Sequence, residues 1–185
     1  MSRVYIGIDP GKQGALVALN ADGDLLLAER TPLLANDYDP HAMQALIERA
    51  RRLAPNWNHS APPHICIEKV SAMPKDGRAG IFSFGTSFGL WWGLAVASGA
   101  SVHFATPQKW QMFAMRGRKR PKGKVSTKPA IVAAAKDRWP AIGDAMPFKR
   151  DYGKADAAWI AEYARSEILI EQRSMSASPG VFGAA

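Results

Sequence analysis

Three carboxylates stand where a chain does not ordinarily leave a charge. Asp9 closes the apolar run Val4-Tyr5-Ile6-Gly7-Ile8, and a carboxylate at the tip of a buried strand must be paired, solvated at the sheet edge or bound to a cation. Glu68 repeats the pattern inside His64-Ile65-Cys66-Ile67-Glu68-Lys69-Val70, whose β-branched residues predict a central strand covered on both faces. Asp156 follows Gly153-Lys154-Ala155 and precedes Ala157-Ala158-Trp159-Ile160-Ala161, in the first turn of a predicted last helix. Each has a structural explanation alone: Asp156 suits a helix N-terminus, Glu68 a lysine partner, Asp9 the amides of a turn. Together they match the donor chemistry of a hard divalent cation such as magnesium, which takes carboxylate oxygens.

The elements that must position them follow from the hydropathy pattern. Residues 3–9 and 13–20 are apolar runs separated by Pro10-Gly11-Lys12, and Leu25-Leu26-Leu27 follows the Asp22-Gly23 turn, which predicts a three-strand meander. Met43, Leu46, Ile47, Ala50 and Leu53, interleaved with charged residues, predict a helix with one apolar face. Strands are expected at 64–70 and 101–105, and helices from Pro107 to Met115, near 127–138 and over 153–170. This order makes an α/β or α+β domain built on one sheet. With 185 residues, 47% hydrophobic and 22% charged, one core suffices, so residues 1–172 are expected as one domain and 173–185 as a flexible C-terminal tail.

Composition excludes several classes. One cysteine, Cys66, leaves no disulfide framework and no thiolate zinc site, and the first residues lack the apolar stretch of a secretory signal, so a cytoplasmic protein is expected. Residues 79–102 carry no charged side chain and are long enough to span a bilayer. Their five glycines argue instead for a buried helix of a soluble domain, with Gly85, Gly89 and Gly93 as a smooth ridge pressed onto the sheet, and no membrane partner is expected. The formal net charge of +8 is concentrated: residues 116–128 hold seven of the 24 bases and no acid. A basic run flanked by Gly and Pro predicts a loop whose polyanionic partner is nucleic acid.

The runs Ile6-Gly7-Ile8-Asp9-Pro10-Gly11, Ile65-Cys66-Ile67-Glu68-Lys69-Val70 and Gly153-Lys154-Ala155-Asp156-Ala157-Ala158-Trp159-Ile160-Ala161, in that order and spacing, resemble the RuvC-type Holliday junction resolvases of the ribonuclease H-like superfamily, most closely their phage forms. The resemblance spans roughly residues 3–165 and includes Met73-Pro74, Phe82-Ser83-Phe84-Gly85 and Thr106-Pro107-Gln108-Lys109-Trp110. It implies a five-stranded mixed sheet flanked by helices, a homodimer, no nucleotide cofactor, and magnesium- or manganese-dependent cleavage of four-way DNA junctions. Two ions per site would be held by Asp9 as the bridging ligand with Glu68 and Asp156 on its flanks. Lys124 is the nearest match to the family's lysine at the scissile phosphate, with Lys128 in reserve. Arg116, Arg118, Lys119, Arg120, Lys122 and Lys128 are the expected DNA contacts. Many relatives carry a fourth ligand three residues before the last aspartate, where this chain has Gly153. Asp151 is expected to reach the site instead, or else to cap the helix. Phe82, Phe84 and Met73 are candidates to wedge open the junction.

Other functions compete: a less selective branched-DNA or flap nuclease, a junction-binding protein without cleavage, and an actin-like sugar kinase or ATPase. The last needs two such domains, and this length supplies one.

Overall fold

The computed structural model describes residues 3–53, 62–69, 77–118 and 127–177. β1 (Tyr5–Asp9), β2 (Ala15–Leu19) and β3 (Leu25–Arg30) form the expected meander, followed by a small hairpin of β4 (Leu33–Leu34) and β5 (Asp37–Tyr38). The hairpin was not foreseen; its turn residues Ala35 and Asn36 both have positive φ, 48° and 65°. Next come α1 (Pro40–Arg52), β6 (His64–Glu68), α2 (Arg78–Ala97), β7 (Ser101–Ala105) and α3 (Pro107–Ala114). α4 (Lys128–Arg138), a short α5 (Pro140–Asp144), a 3-10 turn at Lys149–Asp151 and α6 (Gly153–Ala177) complete the chain. α6 runs past its expected end at 170 because no glycine or proline interrupts the sequence between Gly153 and Pro179.

The five-stranded sheet has the order β3-β2-β1-β6-β7, antiparallel through β1 and parallel from β1 to β7. It is the mixed α/β sheet with flanking helices that the sequence implies. Strand alternation sorts the side chains between two cores. Ile6, Ile8, Ile65 and Ile67 face α1 and α2, where they meet Met43, Ile47, Trp91 and Ala95. Tyr5, Val17 and Cys66 face the other side, against Ala157, Ala158, Ile160 and Ala161 of α6. The contact with α6 is backbone on backbone at one point: a Cβ on Gly7 would lie 2.0 Å from the Ala157 carbonyl oxygen and 2.4 Å from the Ala161 nitrogen.

α2 corrects one expectation. It is long and apolar enough to cross a membrane, with a mean hydropathy of 1.3 over its best window, yet Ser87, Trp91 and Ala95 form a buried stripe in the domain core. The glycine ridge does not press on the sheet. A Cβ added at Gly85, Gly89 or Gly93 meets nothing within 4 Å. The Trp91 stripe is offset from the glycines by two residues, half a turn around the helix, and burying an indole gains far more than burying glycines. The outward face therefore carries the glycines together with Phe82, Trp92 and Val96, which are 78%, 47% and 58% exposed.

Candidate functional site

The register of β1 and β6 brings the first two carboxylates together. The strands run parallel with Ile8 opposite Ile67, so Asp9 and Glu68 leave the same end of the sheet. Alternation sends both toward α6, because their neighbours Ile8 and Ile67 face α2. α6 passes so close at Gly7 that Asp156, in its first turn, joins them. The turn after Asp9 is fixed from two sides. The Gly11 N–H donates to the hydroxyl of the fully buried Ser87 at 2.8 Å, and Gly11 itself needs a φ of +124°. On the other side Gly153 lies against the turn: a Cβ there would stand 2.4 Å from the Gln13 carbonyl oxygen and 3.1 Å from Asp9 Oδ2. The space that a side chain at position 153 would need is thus taken by the β1–β2 turn.

Crowding of buried like charges shows in the acidities. Burial, then the charges of Asp156 and Glu68, push the Asp9 carboxyl well above its ordinary range, against the pull of Lys128. Burial also raises Glu68, opposed first by the Trp110 indole N–H, which donates to Glu68 Oε1 at 2.8 Å. Asp156 is raised by burial although the Lys128 ammonium pairs with its Oδ2. Its other oxygen, Oδ1, is buried without a hydrogen-bond partner among the described residues. Hard oxygen donors, mutual repulsion and an orphaned carboxylate oxygen suit a divalent cation, and Lys128 supplies the positive charge in this structure. Among the described residues no three His, Cys, Asp or Glu side chains already stand close enough to hold a metal ion.

Asp151 is elsewhere. Its Oδ2 accepts the Phe148 N–H at 3.0 Å and its Oδ1 lies 3.7 Å from Arg30 Nε, so the carboxylate is buried as the anchor of the 3-10 turn, apart from the other three. Of the basic segment, Arg116 lies over the Phe113 ring at 4.9 Å and Arg118 pairs with Asp137 at 2.8 Å. Lys119, Arg120, Lys122 and Lys124 lie outside the described residues, as does Met73. Phe84 is half-buried, and Phe82 is open to solvent.

Two residues near the carboxylates went unnoticed in the sequence. Lys149 and Arg150 line a cavity of about 220 Å³ together with Asp9, Gly11, Gly14 and Lys128. Their signal was a pair of bases six and seven residues before Asp156, hidden by the larger basic run.

A mixed sheet of this order, with carboxylates on its central parallel pair and on the helix that crosses it, is a ribonuclease H-like α/β fold. Solved structures with the same fold include Thermus thermophilus RuvC in complex with a Holliday junction substrate, 16% identical with a TM-score of 0.59, the match covering 90% of this chain and 96% of that one. The T. thermophilus RuvC structure is 18% identical with a TM-score of 0.55, over 92% and 96% of the two chains. At such identity the likeness is one of fold. No family model and no curated protein matches the chain.

Proposed function

We propose that this protein is a structure-selective endonuclease that resolves four-way DNA junctions by metal-dependent hydrolysis of the phosphodiester. The observation that carries it is the convergence of Asp9, Glu68 and Asp156 on one end of a RuvC-like sheet, each carboxyl raised by burial. Asp9, Glu68 and Asp156 are the residues that would hold magnesium or manganese. The ions, when bound, acidify the attacking water and stabilise the leaving oxygen. Trp110 fixes one oxygen of Glu68 and so orients the carboxylate. Lys128, paired with Asp156 at the edge of the site, is a candidate cation for the scissile phosphate. Lys124 is the second candidate for that role, and the segment 116–128 follows the DNA backbone.

Two symmetric nicks need two sites, so the working unit is a homodimer. The outward face of α2 suits it: the region 79–102 carries no charge in a chain of net charge +8, which makes it a surface where two copies meet without repulsion. The protein acts as a soluble DNA-binding enzyme.

The test is incubation with a labelled four-way junction in magnesium or in chelator. Paired nicks in magnesium only, abolished by Asp9→Asn while junction binding persists, are expected. Binding without nicking in magnesium or manganese overturns the nuclease reading, and equal cutting of flaps, forks and linear duplex overturns the junction preference.

A further inference from the structure

We propose that the cavity walled by Lys149, Arg150 and Lys128 is a docking site for a second backbone phosphate, next along the cleaved strand to the phosphate at the carboxylates; this rests on the nuclease reading above. The cavity measures about 220 Å³, below the roughly 300–1,000 Å³ of pockets for drug-sized ligands, so it receives a group such as a phosphodiester and not a whole nucleoside. Its walls are cationic. Lys149 and Arg150 are both exposed, and among the described residues neither is ion-paired with a carboxylate. Lys149 and Arg150 line the cavity beside Lys128, so an anion held there gains from their positive charge.

The turn that carries the two residues is also held in place. The buried Asp151 ties the turn Lys149–Asp151 to the Phe148 N–H at 3.0 Å, the Tyr152 N–H closes it onto the Lys149 carbonyl at 3.2 Å, and the Arg150 guanidinium lies 4.8 Å from the Phe148 ring centroid. A guanidinium fixed in this way loses less freedom on gripping a phosphate than one on a mobile loop. Because Asp9 forms part of the same wall, a phosphate in the cavity is a neighbour of whatever Asp9 acts on. That continuity favours a polynucleotide strand over an isolated phosphate. Asp151, bound to the Phe148 N–H and beside Arg30, acts by positioning the turn that carries these two cations.

The experiment compares wild type with the double variant Lys149→Ala/Arg150→Ala in chelator, so that neither metal nor cleavage enters. Junction affinity is measured over a salt series, first with natural DNA and then with single neutral methylphosphonates stepped along the cleaved strand. The double variant should lose roughly 0.9 from the slope of log affinity against log salt, the amount for one lost phosphate contact. Wild type should be weakened by a methylphosphonate at one position beside the cut, and the double variant should be indifferent there. A control, Arg52→Gln/Lys136→Gln, removes the same charge from exposed positions off the cavity and should keep the methylphosphonate response. Full wild-type slope and response in the double variant overturn this inference while leaving the nuclease reading intact. Failure of wild type to bind or nick the junction overturns both.

Discussion

α6 and α2 cover opposite faces of one sheet, and both repeat small residues at four-residue spacing. They use them in contrary ways. In α6, Ala157 and Ala161 meet Gly7 so closely that backbone touches backbone, and this approach carries Asp156 to Asp9. In α2, Gly85, Gly89 and Gly93 face open space while Trp91 holds the helix to the core. Small residues at helical spacing thus announce a close approach without naming the partner. On one face it is the sheet; on the other, nothing among the described residues fills the place.

Substitutions on the two faces should separate accordingly. The largest effect is expected from Gly7→Ala: the new methyl would sit 2.0 Å from a carbonyl oxygen that cannot move without shifting α6. A loss above about 4 kcal/mol follows from such overlap, read as the absence of a cooperative thermal transition. A normal melt would show that the two backbones separate easily and would break the contrast.

Ser87→Ala probes a place where α2 reaches the turn beside Asp9. It leaves the Gly11 N–H without its acceptor, a cost of about 1–3 kcal/mol, and each 1 kcal/mol lowers the melting temperature of a chain this size by roughly 2–4 °C. Because the turn adjoins Asp9, nicking should fall further than stability does; an unchanged nicking rate would limit Ser87 to packing.

Gly89→Ala should act in the opposite direction to Gly7→Ala. An alanine in an exposed helix interior is worth about 0.5–1 kcal/mol over glycine, so the melting temperature of the dilute protein rises by a few degrees. If two copies meet on this stripe, the same change loosens the dimer, and sedimentation records the two effects separately.

A different kind of effect, a pH dependence, is expected at the far end of the α6 face. His64 stacks on Tyr5 at 5.3 Å between centroids and lies 3.3 Å from His103; burial first, then His103 and Arg3, lower its pKa from 6.5 to about 4. The folded state therefore favours the neutral ring. Its contribution is complete above pH 6.5 and is lost as the pH falls from there toward about 4, because the unfolded chain takes up the proton first. His64→Gln should flatten the stability profile in that interval; an identical slope would place the acid sensitivity elsewhere.

The main strands, the order of the helices and the exit of Asp9 and Glu68 from one end of the sheet were legible because they rest on period and strand ends, which are local. Direction around a helix was not. Glycine periodicity alone did not reveal that Trp91 would claim the core two residues away from the ridge. Asp151 illustrates a different limit: a carboxylate five residues from Asp156 looked near in sequence, yet the Phe148 N–H and Arg30 turn it aside. Gly153 read as a missing ligand, although the space for a side chain is taken by Gln13, a contact between segments some 140 residues apart that no local pattern encodes. Restoring a carboxylate by Gly153→Asp consequently meets the β1–β2 turn before it meets a cation.

Cys66, the chain's one cysteine, is 1% exposed, and burial with the charge of Glu68 pushes its thiol up to about 12. It stays protonated and out of reach at neutral pH, so the native protein is chemically blank to thiol reagents. Any cysteine introduced at the surface becomes the sole address for a fluorophore, a spin label or a cross-linker. Placed at Gly89, on the open stripe of α2, it would let mild oxidation report by covalent capture whether two of these helices ever come within bonding distance.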